Sequence, residues 1–172
     1  MSIQQEIIRI AAGEEGVREA EKNNTGERIV IYQSATWLKP DAWPWCAAFT
    51  AWVLKEALHT SEGQSYLRSK NLDLEGWRCR DASAFGWLTW AKNKGLTVFD
   101  EHSTKLKPMA GDFIVFDFSH IGIVRADKLP SETVVHTIEG NTNGKGERDS
   151  TSGDGVWLKK RDMKLIRGVI RL

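Results

Sequence analysis

Near residue 108 the hydrophobic pattern of this chain changes period once, and that switch limits the available folds more than any other feature. Before it, apolar residues recur at helical spacing. After it come short runs rich in β-branched and aromatic residues, separated by Gly, Asn, Asp, Pro and Ser. Helices first and strands afterwards define an α+β arrangement, with the second half expected as an antiparallel sheet. The 172 residues suffice for one sizeable core but fall short of two ordinary domains, so a single domain over 1–172 is expected.

The first predicted helix covers 3–17, with Ile3, Ile7, Ile10 and Ala11 on one face and Ser2 as its N-cap. Residues 23–26 read as a turn, and 29–32 fit a short helix or an extended piece equally well. A second helix is predicted to begin within 41–45, with Pro44 in its first turn, and to run to about Leu58. It is apolar almost all round, from Ala47 and Phe49 to Leu54 and Leu58, and so should lie centrally. A third begins at Asp81 as N-cap, carries Phe85, Leu88 and Trp90, and stops before Gly95. Between them, 60–80 is a polar, insertion-like stretch. Strands are predicted over 113–118, 121–125, 133–138, 156–159 and 166–172, with 141–155 as a long loop. No internal repeat is visible.

Composition removes several function classes. Hydrophobic residues make up 41% and charged residues 27%, a globular balance. Lys and Arg total 24 against 23 acidic residues, and a formal net charge of +1 provides no field for nucleic acid or a membrane surface. No apolar run is long enough for a bilayer span, and the N-terminal dozen residues lack the pattern of a signal peptide. The two cysteines, Cys46 and Cys79, do not form the dense pattern of a disulfide-stapled secreted domain, so synthesis in a reducing cytoplasm is expected. A bridge between them is the alternative.

Three places carry candidate chemistry. A thiol is a nucleophile only as thiolate, and a helix N-terminus favours negative charge; Cys46 lies at such a place. The plain alternative is a small buried hydrophobe on a core helix. His120 enters a predicted strand, where a base can be held rigidly against a helix-borne thiol although far from it in sequence. Glu139, Gly140 and Asn141 end the next predicted strand, and either Glu139 or Asn141 could hold the second imidazole nitrogen. An ordinary polar turn is the competing explanation there.

Taken together, Trp43, Pro44, Trp45, Cys46, Ala47, Ala48 and Phe49, then Gly111 to Phe116, then His120 to Val124, then Glu139, Gly140 and Asn141 resemble the CHAP amidase family, which belongs with the wider NlpC-type, papain-like cell-wall hydrolases. The likeness runs from about Gly16 through the last strand, with its four blocks in the family's order. It implies a papain-like fold, Cys46 as nucleophile, His120 as general base, and Glu139 as orienting acid assisted by Asn141. It also implies a substrate: amide or peptide bonds in the stems and cross-bridges of bacterial peptidoglycan. Gly111 and Asp112 match a family turn and are expected to be structural. The expected departures from the family are the 60–80 stretch and the absence of an appended wall-binding domain, which bear on substrate choice rather than chemistry.

Of the eight tryptophans, Trp37, Trp43, Trp45 and Trp87 could line a groove, with Trp45 and Trp43 expected against substrate. No cofactor and no metal are expected: Cys46, Cys79, His120 and His136 lack close-paired ligand spacings, and 141–155 lacks the regular spacing of a calcium loop. His59 and His102 read as solvated. The expected protein is a monomer that acts at the cell wall or periplasm as a phage lysis component or an injected antibacterial toxin, the latter with an immunity protein as partner. A catalytically silent wall-binding module and a thiol acyltransferase are the alternatives.

Overall fold

In the computed structural model, which describes residues 1–103, 105–144 and 153–172, the chain is α+β, with helices leading and an antiparallel sheet following. Helix α1 (Ile3–Gly13) opens as predicted: the Ser2 hydroxyl accepts the Gln5 N–H and the Gln5 side chain accepts the Ser2 N–H, a reciprocal cap for two otherwise unpaired donors. Its buried stripe is Ile3, Ile7 and Ala11. It stops at Gly13, four residues before the predicted end. Helix α2 (Glu27–Gln33) settles the ambiguous segment in favour of helix and buries Ile29 and Tyr32.

Helix α3 (Cys46–His59) is the central element, with Cys46 and eight further residues through Leu54 all buried. It begins later than predicted. Residues 41–45 form bends and coil, and Pro44 precedes the helix instead of occupying its first turn. The residue before a proline is pushed away from helical geometry, so Trp43 cannot open the helix. That shift makes Cys46 the first helical residue.

The polar stretch 60–80 is no loop. It holds α4 (Ser61–Lys70), capped by Thr60 and ended by left-handed Asn71, and the single turn α5 (Leu74–Trp77), capped by Asp73. Only Gly63, Leu67 and Trp77 of these elements are buried, too few to show as a periodic stripe. Helix α6 (Ala84–Asn93) is capped at Ser83, whose N–H is accepted by the Asp81 carboxylate, so Asp81 organises the entry without being the cap.

The strands are β1 (Thr97–Asp100), β2 (Phe113–Phe116), β3 (His120–Val124), β4 (Val134–Thr142), β5 (Gly155–Asp162) and β6 (Ile166–Arg171), in the order β1-β6-β2-β3-β4-β5 and antiparallel throughout. One face of the sheet, including Phe113, Val115, Ile121, Ile123 and Ile138, packs into the main core with α3. The other carries Ile114, Phe116, Val124, Val135, Ile166 and Val169 in a second cluster. Asp112, launching β2, takes both oxygens to Arg171 at 2.9 and 2.7 Å and accepts the Met109 N–H, which gives that turn a structural anchor.

Strand β4 runs four residues past its predicted end and β5 starts at Gly155, so 141–155 is not one loop; 145–152 lie outside the described residues. The pairing shifts between Glu139 and Thr142, where Glu139 faces Trp157 and Thr142 faces Gly155. One extra residue is thereby accommodated on β4, and Asn141 takes a left-handed φ of 54°. Among the described residues no helix is long and apolar enough to cross a membrane.

Candidate active site

Alternation along the strands decides which polar side chains meet. Phe116 lies opposite His120, Val124 opposite Thr137 and Val135 opposite Arg161. Residues 120, 122 and 124 of β3 therefore share a face with 135, 137 and 139 of β4 and with 161 of β5. His120, Thr137, Glu139 and Arg161 are all buried there. Gly122 makes this grouping possible: a Cβ at that position would stand 2.6 Å from Glu139 Cγ, so the glutamate side chain occupies the space that any other residue would fill.

The helix start meets this group where β3 begins and β4 bulges. Gly140 allows the approach, since a Cβ there would lie 2.6 Å from Phe49 Cβ and 2.8 Å from the Trp45 ring, both at the first turn of α3. Cys46, the opening residue of that turn, is 6% exposed. Trp45 as N-cap makes no side-chain capping bond, and the first turn contains no acidic residue. The positive end of the helix is therefore left for whatever negative charge forms at its mouth.

His120 Nε2 and Glu139 Oε2 are 2.8 Å apart. The other ring nitrogen, Nδ1, makes no hydrogen bond; neither does Nδ2 of Asn141, and among the described residues these are the buried side-chain polar atoms without a partner. Burial disfavours a charged imidazole, yet the charge and side-chain contact of Cys46, joined by Glu139, outweigh it and push His120 up to about 9. The Cys46 side chain is therefore near enough to act on the ring, whose Nδ1 has no hydrogen-bond partner. Burial likewise raises the Glu139 carboxyl, but His120 and Arg161 more than reverse this and hold it down at about 2.

Four participants around this cluster were not anticipated from the sequence. Arg161 reaches Glu139 with Nε at 3.0 and 3.1 Å and with Nη2 at 2.5 Å. Thr137 donates to Glu139 Oε1 at 2.5 Å. Phe118 stacks on the His120 ring at 5.6 Å and 10°, with Phe116 behind at 6.1 Å. In the sequence Arg161 follows Lys159 and Lys160 and looks solvated; only the period-two alternation of β5 could have set it apart.

The structure thus brings Cys46, His120 and Glu139 together, with buried Asn141 two residues beyond the glutamate. It does not support Trp45 as a substrate contact. That ring is wholly enclosed, stacked on Tyr32 at 5.5 Å, with its N–H given to Glu19 at 2.7 Å. A heavily apolar start to α3 draws Trp45 into the core. Trp43 remains partly exposed, Trp37 is 63% exposed, and Trp87 is fully buried. Cys79 is unpaired and buried, and burial pushes its thiol up to about 12. The remaining histidines stand apart: His59 on the Lys55 carbonyl, His102 beside Glu101 and His136 beside Glu132. No protein-family model and no curated protein matches the chain.

Proposed function

We propose that this protein is a papain-like thiol hydrolase that cleaves amide or peptide bonds in the stem peptides or cross-links of bacterial peptidoglycan. The observation that carries the reading is the imidazole of His120, bound through Nε2 to Glu139 and left unpaired at Nδ1, with the Cys46 charge acting on it. An imidazole so placed takes the Cys46 proton at Nδ1 while Glu139 fixes its tautomer and stabilises the imidazolium. Sulfur attacks the scissile carbonyl, the amine leaves with the proton from His120, and water releases the acid product from the acyl-enzyme.

The developing oxyanion is held by the backbone N–H of Cys46, which as the first residue of α3 has no intrahelical acceptor. Asn141 Nδ2, buried and without a partner, is the second donor. Peptidoglycan as substrate is supported by the resemblance of four sequence blocks, in order, to the CHAP amidases, and the partly exposed Trp43 beside the helix mouth offers a face for a stem peptide. Delivery as a phage lysis component or an injected toxin, with an immunity protein in the second case, fits a wall hydrolase made in the cytoplasm.

The test is digestion of purified peptidoglycan followed by fragment mass measurement. The protein is expected to release fragments whose masses name one cleaved bond, and folded Cys46→Ala and His120→Ala variants to release none. Activity retained in either variant would remove the thiol mechanism. Fragments carrying a new amine in place of water would reassign the reaction as acyl transfer.

A further inference from the structure

Glu139 is the hub of the site. Its Oε2 accepts from His120 at 2.8 Å and from Arg161 Nη2 at 2.5 Å, so one oxygen serves both partners. Arg161 Nε bridges both carboxylate oxygens, and Nη2 also donates to Thr142 Oγ1 at 3.1 Å. The guanidinium is 1% exposed and lies over the rings of Phe116 and Phe118, with its carbon 5.6 and 5.4 Å from their centroids. A planar fork of this kind fixes a carboxylate in orientation, where an ammonium would only attract it.

Four ionisable side chains from four elements meet around Glu139. Cys46 comes from α3, His120 from β3, Glu139 from β4 and Arg161 from β5, and the uncharged Thr137 and Thr142 bond to the Glu139–Arg161 pair. A thiolate, an imidazolium and a carboxylate sum to minus one in a site closed to water, and buried charge of that kind is relieved by taking up a proton. Arg161 brings the sum to zero.

We infer that Arg161 is a positioning residue of the thiol site: it locks the Glu139 carboxylate in the orientation that holds His120, and it is the counter-charge that keeps Glu139 ionised beside the Cys46–His120 pair. The inference rests on the hydrolase reading above. Arg161 grips the Glu139 carboxylate, which in turn holds His120, so its loss acts on the imidazole through Glu139. Without the guanidinium, Glu139 protonates at higher pH, and a neutral carboxyl no longer compels the imidazolium.

The experiment compares wild type with Arg161→Gln and Arg161→Lys on purified peptidoglycan across the acid range, alongside alkylation of Cys46 by iodoacetamide, which needs no substrate. In Arg161→Gln the acid limb of kcat/KM is expected to move up by about one pH unit or more. Its kcat should fall by about tenfold or more with KM unchanged. Arg161→Lys keeps the charge and is expected to keep the acid limb while losing kcat, because the fork is gone. A folded Arg161→Gln with the wild-type limb, or an Arg161→Lys with the wild-type kcat, overturns the inference. If Arg161→Gln does not fold, the Lys variant decides alone through kcat. If wild type releases no fragments, the hydrolase reading fails separately; the pH profile of Cys46 alkylation then decides, and a profile in Arg161→Gln that is the same as in wild type overturns the inference.

Discussion

Substituting Gly140 by alanine tests whether contact between β4 and the start of α3 sets the geometry of the site. Gly140 does not have a positive φ, so alanine suits its backbone and any effect comes from the added carbon. That carbon would stand 2.6 Å from Phe49 Cβ, 2.7 Å from Phe49 Cγ and 2.8 Å from Trp45 Cζ3. Carbon atoms pack at about 3.5–4.0 Å, so strand and helix must separate by about 1 Å. Phe49 Cβ moves only with the helix backbone, and both aromatic rings are fully buried, so neither can swing aside. Overpacking of this kind costs about 1–3 kcal/mol of stability. The same displacement moves Cys46 away from the strand that carries Glu139, and a shift of about 1 Å at reacting groups costs about 100-fold in rate. The assay is kcat/KM on purified peptidoglycan beside the urea midpoint, with Gly13→Ala as control because a Cβ at Gly13 meets nothing within 4 Å. A Gly140→Ala protein with wild-type kcat/KM would refute the claim that this contact positions the thiol.

Three further outcomes are expected. Iodoacetamide at neutral pH should label Cys46 and spare Cys79, whose thiol burial pushes up to about 12; equal labelling of both, read by peptide mass, would contradict the burial seen at Cys79. Asn141→Gly keeps the left-handed backbone at that position and removes only the amide, so kcat should fall by about 100- to 1,000-fold with the thermal midpoint little changed; an unchanged kcat would dismiss Asn141 as oxyanion donor. The pH dependence of stability follows from the two coupled groups. His120 is raised from 6.5 to about 9, so its contribution is complete below 6.5 and is lost as pH rises through about 9; Glu139 is lowered from 4.5 to about 2, so its contribution is complete above 4.5 and is lost as pH falls toward 2. The difference in thermal midpoint between wild type and His120→Gln should therefore shrink on the alkaline side, and a constant difference would show that His120 does not titrate as described.

What the sequence disclosed, and what it hid, divides along the range of the interactions. Period and capping are local, so α1 with its Ser2 cap, the buried α3 and the strand-rich second half were legible. The α4 and α5 turns were not, because two short amphipathic pieces bury only Gly63, Leu67 and Trp77. Edge strand β1 was missed for a similar reason: its four residues are exposed or half-buried and owe their order to pairing with β6. Within the site, Cys46, His120 and either Glu139 or Asn141 could be named as candidates because thiol, imidazole and a polar partner fall in four blocks that resemble one family, although each residue alone had an ordinary structural explanation. Arg161 could not, since a cation in a run of cations is told apart only by the face it points to. Trp45 misled because an aromatic beside a candidate nucleophile suits a groove and a core equally; the Tyr32 stack and the Glu19 bond decide for the core.

The irregular features of the sheet gather around one point, and their clustering is itself an argument about function. Gly122 and Gly140 weaken strand interiors, Asn141 departs from strand geometry at φ 54°, Ser119 takes φ 60° just ahead of His120, and Glu139 and Arg161 bring full charges into the interior. Each of these is unfavourable by itself, and a sheet selected for stability alone would have no use for them together. All lie around the imidazole: Gly122 admits the Glu139 side chain, Gly140 admits the helix mouth, Asn141 sits in the bulge just past Glu139, Ser119 immediately precedes His120, and Arg161 balances the carboxylate. Local rules are broken in concert where geometry is demanded by something other than folding. Replacing the Glu139–Arg161 pair by Gln and Met, which removes both buried charges, should therefore leave the fold as stable or more so while abolishing turnover, and a double variant that keeps wild-type kcat would mean that the irregularities serve the sheet after all.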